Sequence, residues 1–425
     1  MGDKAPTLVT VAFFLYNNQV RKEVIITAFL LFVGVLFWLS SLYLNRIEAS
    51  ENSISPFSDS VSIYSLLSPP ERPKYTVYGF LPYWTINKAK YLQFDKLTDI
   101  AYFGLNINAD GTFRKYLDDG TTDPGYNNWI NNEDLQNLIT KSKKEGIRFS
   151  LTVISHESDV SDDFLMCKTC WNTLVQELFR ELDAKKINSV NLNFEYADYT
   201  DGSYADRYTE LTQFINNKLD ERYGDAYVVV STFADSLVKP RVTKVDGLAK
   251  VSDGLFIMAY DFHRPDSDTT GPVAPIGGKG IYAEYDIQTM LKDYLSNAPA
   301  NKLILGVPYY GYNWVVTSPL PNSSRIPGND YIGFSQSQSY EFVMDTILRV
   351  HPNIKWDNLG LTPYFSYVSP ETGSTRQVYY ENEESLKIKY QLAKNNHLAG
   401  VGIWALGYDG GYQELWNLLK NEFVR

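Results

Sequence analysis

Residues 187–196 read Ile187-Asn188-Ser189-Val190-Asn191-Leu192-Asn193-Phe194-Glu195-Tyr196, with Val190, Leu192, Phe194 and Tyr196 alternating with Ser189, Asn191, Asn193 and Glu195. A period of two marks a strand with two unlike faces. One face is apolar; the other carries two amides and finishes on a carboxylate. That second face is out of place on a solvent-facing strand but suits one that lines the inside of a barrel. In a parallel barrel, Glu195 stands at the C-terminal rim, where such folds keep their chemistry.

Outward from this strand, β-rich runs alternate with helical ones. Strands are expected at 75–84, 97–106, 147–154, 227–233, 255–260, 303–309 and 400–406. Helices are expected around 133–145, 164–184, 204–223, 285–295, 385–395 and 412–422. The first of these helices opens on Glu133 and Asp134, closes on lysines and is stopped by Gly146. Strands separated by helical crossovers pair in parallel. About eight such units is the count of a TIM (β/α)8 barrel, an α/β domain over residues 75–425. The stretch from about 315 to 380 exceeds one unit, with a helix at 340–350 and short strands near 363–368 and 377–380. It reads as a small α+β insertion after strand 7.

Residues 24–44 (VIITAFLLFVGVLFWLSSLYL) contain no charged side chain, and a run of this length crosses a hydrocarbon core of about 30 Å as a helix. The following Asn45-Arg46-Ile47-Glu48-Ala49-Ser50 lacks a small-x-small cleavage pattern, so an uncleaved transmembrane anchor is expected. Lys4, Arg21 and Lys22 precede it, whereas Arg46 is followed by Glu48 and Glu51. That asymmetry puts residues 1–23 in the cytoplasm and the barrel outside. Residues 45–74, rich in Ser and Pro, read as an extracytoplasmic linker.

A net charge of −11 without a dense Lys/Arg run argues against a phosphate-neutralising surface, so nucleic acid is not expected as a partner. The 32 Tyr and 8 Trp suit a groove that stacks sugar rings as well as a large core. The two cysteines, Cys167 and Cys170, form one C-x-x-C, too few ligands for a zinc site. A local disulfide and two inert thiols both stay open. His156, His263, His351 and His397 show no ligand spacing, and no metal or cofactor is expected.

Three more motifs share the order of the strands. Met258-Ala-Tyr260-Asp261 closes the sixth, Leu305-Gly-Val-Pro-Tyr-Tyr-Gly-Tyr-Asn-Trp314 covers the seventh, and Gly402-Ile-Trp404 ends the last. Together with Asn188, Asn191, Asn193 and Glu195, they resemble glycoside hydrolase family 18. That family carries Asp-x-x-Asp-x-Asp-x-Glu on strand four, Met-x-Tyr-Asp, a Gly-x-Pro-x-Tyr-Gly run and a final-strand Trp. Here the terminal Glu is kept and the three acidic positions are amides. Thr152-Val-Ile-Ser155 stands where the family usually has Ser-x-Gly-Gly.

The resemblance implies a glycosidase acting on β-1,4-linked N-acetylglucosamine polysaccharide such as chitin or peptidoglycan. Glu195 would be the proton donor, and Asn193 takes the place of the acid that orients the substrate's acetamido group. Tyr260 and Asp261 would hold that group. Trp404 would floor the sugar subsite, with Met258, Trp84, Tyr309, Trp314 and Asn191 as further binding candidates. One protein acid suffices in this scheme, because the substrate's own acetamido oxygen attacks the anomeric carbon. Glu195 must then be protonated near neutral pH, which requires burial or a negative neighbour. Asn193 accepts an N–H hydrogen bond but carries no charge. A catalytically inactive carbohydrate-binding barrel is therefore the alternative to weigh, with a structural envelope protein behind it.

Overall fold

The strand with two unlike faces is Ser189–Phe194, and it lies within a closed barrel. The protein is described here by a computed structural model covering residues 74–424, apart from 197–202, 240, 282–283 and 351–352. The expected anchor at 24–44 and linker at 45–74 lie outside the described residues, Lys74 excepted. Among the described residues no helix is long and apolar enough to cross a membrane.

In chain order the strands are β1 (Thr76–Pro82), β2 (Asp99–Asn106), β3 (Arg148–Ser155), β4 (Ser189–Phe194), β5 (Tyr227–Phe233), β6 (Gly254–Met258), β7 (Leu303–Pro308), β8 (Tyr310–Val315), β9 (Gln336–Ser339), β10 (Lys355–Asp357), β11 (Thr362–Val368), β12 (Thr375–Tyr379) and β13 (Gly400–Trp404). The barrel closes in the order β1-β13-β7-β6-β5-β4-β3-β2, and each of its pairings is parallel. All eight C-terminal ends therefore open on one rim.

The two faces of β4 behave as their chemistry requires. Outward, Phe194 meets Tyr208 at 4.6 Å and Phe164 at 6.2 Å between ring centroids, burying the strand under helices Ser158–Met166 and Ser203–Tyr223. Inward, Asn191 is fully buried and donates to the Val229 carbonyl and the Ser231 hydroxyl on β5. A buried amide must find partners, and the neighbouring strand supplies them. Aromatic rings fill much of the remaining lumen, among them Tyr78, Phe80, Phe103 and Phe256. A Cβ on Gly402 would lie 2.1 Å from the Phe256 ring. Only glycine fits there.

Most expected elements form within a residue or two of their forecast bounds. The helix expected over 164–184 is instead two, Ser158–Met166 and Lys168–Lys185, with the break at Cys167. A disulfide joins Cys167 to Cys170 across a Cα separation of 5.2 Å, which settles the open alternative between bonded and inert thiols. Helix Pro124–Asn131 was not expected, although Asp123 caps it through the Tyr126 N–H and Pro124 stands at its start. The short helix Val245–Val251 was not expected either; it has no side-chain cap to signal it.

The insertion forms a five-stranded antiparallel sheet ordered β10-β11-β12-β8-β9, with helix Tyr340–Val350. It begins at Tyr310 rather than near 315. Between Pro308 and Tyr310 a single residue, Tyr309, separates barrel strand from insertion strand, so one continuous β-rich run feeds two sheets. Where the chain returns to the barrel, Lys389 donates to Glu381 at 2.7 Å, both fully buried.

Candidate active site

Six barrel strands bring aromatic rings and polar groups to the C-terminal rim, where they are arranged in a circuit. Trp404, ending β13, lies 4.8 Å from Phe103 on β2 and 6.4 Å from Trp84 after β1, between ring centroids. Phe103 lies 6.3 Å from His156, which follows β3. His156 contacts Glu195, which follows β4, at 3.5 Å between Nε2 and Oε1. Beyond Glu195 come Tyr260 and Asp261 after β6. The Tyr310 and Tyr312 hydroxyls of β8 both donate to Asp261 Oδ1, the latter at 2.6 Å. Tyr408 closes the circuit, 6.5 Å from the Tyr310 ring and accepting from Trp84 Nε1 at 3.1 Å. The peptide bonds Phe103–Gly104 and Trp404–Ala405 at this rim are cis.

Glu195 sits deep in this ring, with 29% of its side-chain surface still open. Asn193 Nδ2 donates to its Oε1 at 2.6 Å and also lies 3.2 Å from His156 Nε2. Burial pushes the Glu195 carboxyl up, but His156, Asn193 and Arg264 outweigh it and hold the group below its ordinary value. The proton that the family's chemistry requires on Glu195 is thus favoured by burial and opposed by these neighbours. The physical reason is that the flanking groups donate or carry positive charge, whereas an acid at position 193 would repel.

Asp261 behaves in the opposite sense. Burial raises it; the two tyrosine hydroxyls and Arg264 pull down, while the Glu195 charge pushes up, and the net shift is upward. Burial and the charges of Glu195 and Asp261 push the Tyr260 hydroxyl well above its usual range, so Tyr260 is a neutral donor. Asp261 holds a left-handed φ of 61°, a region where Asp is tolerated better than most side chains. That turn aims it back at β8.

Six of the sequence-derived candidates take part in the circuit or support it directly: Glu195, Asn193, Tyr260, Asp261, Trp404 and Trp84. Trp84 is the most open ring among them, at 46% exposure. Met258 is half-buried and packs on the lumen aromatics beneath. Three candidates lie below or behind the cleft. Asn191 is spent on β5 as described. Tyr309 is buried with its hydroxyl 3.2 Å from that of Tyr390, and Trp314 is fully buried with Nε1 donating to the Arg264 carbonyl. A period of two turns Tyr309 away from Tyr310, which explains why the neighbour and not Tyr309 reaches the site.

Sequence reading missed His156, Arg264, Phe103, Tyr310, Tyr312 and Tyr408. His156 was set aside for lack of ligand spacing; its position just past the end of a barrel strand was the usable signal. Arg264 has an exposed side chain, and its charge acts on both Glu195 and Asp261. Among the described residues no group of His, Cys, Asp or Glu side chains could hold a metal ion.

Comparison with known proteins returns similar assignments. A Bacillus subtilis protein named for a sporulation-specific glycosylase is 27% identical over 261 residues, covering 60% of this chain and 56% of that protein. The probable di-N-acetylchitobiase 1 of Dictyostelium discoideum is 24% identical over 346 residues, covering 74% of this chain and 84% of its own. The crystal structure of the Ostrinia furnacalis Group IV chitinase superposes with a TM-score of 0.70 at 19% identity, covering 83% of this chain and all of that one. This last likeness establishes the fold. The pattern of Glycosyl hydrolases family 18 itself matches residues 76–409, from the first residue of β1 to just past the Trp404 rim, and with the retained Glu195, Tyr260 and Asp261 at that rim the chain is a member of glycosyl hydrolase family 18.

Proposed function

We propose that the protein is a glycosidase of polysaccharides built on β-1,4-linked N-acetylglucosamine, chitin or peptidoglycan, working by substrate-assisted retaining hydrolysis. The observation that carries this reading is the meeting of Glu195, Tyr260, Asp261 and Trp404 among the aromatic rings of one barrel rim. Trp404 and Trp84 offer flat faces to sugar rings. Tyr260 and Asp261 hold the acetamido group so that its oxygen faces the anomeric carbon. Glu195 protonates the leaving oxygen, then accepts a proton from the water that opens the cyclised intermediate. The relatives' names support a glycan carrying N-acetylglucosamine. The apolar stretch 24–44 supports anchorage to a membrane with the cleft outside.

Because Glu195 is held toward its ionised form, turnover on this reading is greatest on the acid side of neutrality. A second reading, a glycan-binding protein without turnover, draws on the same fact and on the missing charge at Asn193. One experiment separates them. The full-length chain is incubated with chito-oligosaccharides and with purified cell wall, beside Glu195→Gln. Products that disappear in the variant support the enzyme. Tight binding without products at any pH refutes it and selects the binding protein.

A further inference from the structure

Family 18 chemistry leaves His156 without an assignment, yet it touches both polar groups at the heart of the cleft. Its Nε2 lies 3.5 Å from Glu195 Oε1 and 3.2 Å from Asn193 Nδ2, and the last two atoms' groups are themselves bonded at 2.6 Å. The three side chains form a closed triangle. We propose that His156 shares and stores the proton that Glu195 delivers to the scissile oxygen, in a site where position 193 offers no ionisable group. The proposal rests on the glycosidase reading.

The surroundings single out this pair. From the end of β4 come Asn193 and Glu195; from the turn after β6 come the neutral Tyr260 hydroxyl, Asp261, whose carboxyl is coupled to Glu195, and Arg264, whose charge acts on it. From β2 comes only the apolar ring of Phe103. Glu157, next to His156 in the chain, is engaged by Arg114 at 3.0 Å. The imidazole is 42% exposed, so it can exchange protons with solvent while Glu195 is covered by a bound sugar.

The proton bookkeeping closes. In the open cleft one proton resides on Nε2, facing an ionised Glu195. When a sugar covers the cleft and expels water, the separated charges lose solvation, and the proton crosses to Oε1, leaving neutral imidazole. Glu195 passes it to the glycosidic oxygen as the C–O bond breaks. The water that attacks the anomeric carbon then returns one proton to Glu195, and the pair again holds one. The Asn193 amide favours the form in which Glu195 is ionised, because its Nδ2 donates to Oε1. Its Nδ2 faces both partners, while its Oδ1 is buried with no hydrogen-bond partner among the described residues.

Two measurements test this. The first is kcat/KM of the full-length chain on chito-oligosaccharides from about pH 4 to about pH 8, a range that spans ordinary carboxyl and imidazole titrations. His156→Gln should move the alkaline limb down by about one to two pH units, because the stored proton is lost with the imidazole. A uniform fall with an unmoved limb overturns the proposal and leaves His156 a packing or binding residue. The second needs no turnover: the imidazole signals of the labelled chain are titrated by NMR, with His156 assigned through His156→Gln. Glu195→Gln should lower the His156 midpoint by about one unit as its counter-charge disappears. An unchanged midpoint overturns the proposal whatever the rates. A coupled midpoint in a chain that cleaves no glycan refutes the glycosidase reading and, with it, the delivery role, while leaving the proton-sharing pair in place.

Discussion

Replacing Asn193 by Asp tests the electrostatics of the cleft most directly. The amide now donates to Glu195 Oε1 at 2.6 Å, which favours the carboxylate. The substitution removes that donor and puts a second carboxyl in its place at nearly identical volume. With the two delocalised charges about 4.5 Å apart and an effective dielectric of about 20, their repulsion is about 3.7 kcal/mol. Glu195 keeps 29% of its side-chain surface open, and water in the cleft cuts that figure to about 1.5–3 kcal/mol, or about one to two pKa units. Across neutral pH the protonated fraction of Glu195 should therefore rise about 10- to 100-fold, and kcat/KM with it. A fluorogenic chito-oligosaccharide assayed at several pH values reads both the rate and the alkaline limb, and a thermal melt confirms that folding is intact. A rate that stays level or falls, in a folded variant, would show that the site is built around the amide and that this reasoning is wrong.

Three other outcomes follow from particular contacts. Asp261→Asn keeps an acceptor for the Tyr310 and Tyr312 hydroxyls but discards the charge, so kcat should fall by about 10- to 100-fold, the scale of one charged hydrogen bond of about 1.5–3 kcal/mol; steady-state kinetics and a melting curve check it. Trp404→Ala removes the ring packed at 4.8 Å on Phe103 and should raise KM about tenfold with a smaller change in kcat, as measured with soluble chito-oligosaccharides. Lys389→Met strands the buried Glu381 carboxylate and should cost about 3–5 kcal/mol in urea unfolding at neutral pH. Burial already raises Glu381, and loss of its partner raises it further. Protonation then favours the folded state, so the variant should regain stability as the pH falls through the raised folded value toward the unfolded carboxyl value.

The barrel was legible because its signal is local. Alternation in Val190-Asn191-Leu192-Asn193 fixes which side of β4 turns inward, and strand Tyr227–Phe233 and helix Tyr340–Val350 fall at the residues their patterns suggest. Motif spacing likewise located Glu195, Tyr260, Asp261 and Trp404. What spacing could not convey is convergence. His156, Arg264, Phe103 and Tyr408 come from separate strand ends and acquire roles only when the barrel closes. The sense of the Glu195 shift was hidden for the same reason, since it depends on which charges lie across the cleft. Asp123-Pro124 is a different case, since its capping signal is local and plain in the sequence.

Tyr310 and Tyr312, two residues apart on one face of β8, join the insertion's first strand to Asp261 at the barrel mouth. The appended sheet is thus wired into the reaction centre as a buttress, not hung beside it as an exchangeable module. Anyone building chimaeras between relatives should move Asp261, Tyr310 and Tyr312 together; a graft that starts near 316 would transplant the wall and leave its anchor behind, and one that starts just before 310 would take the anchor away from its own aspartate.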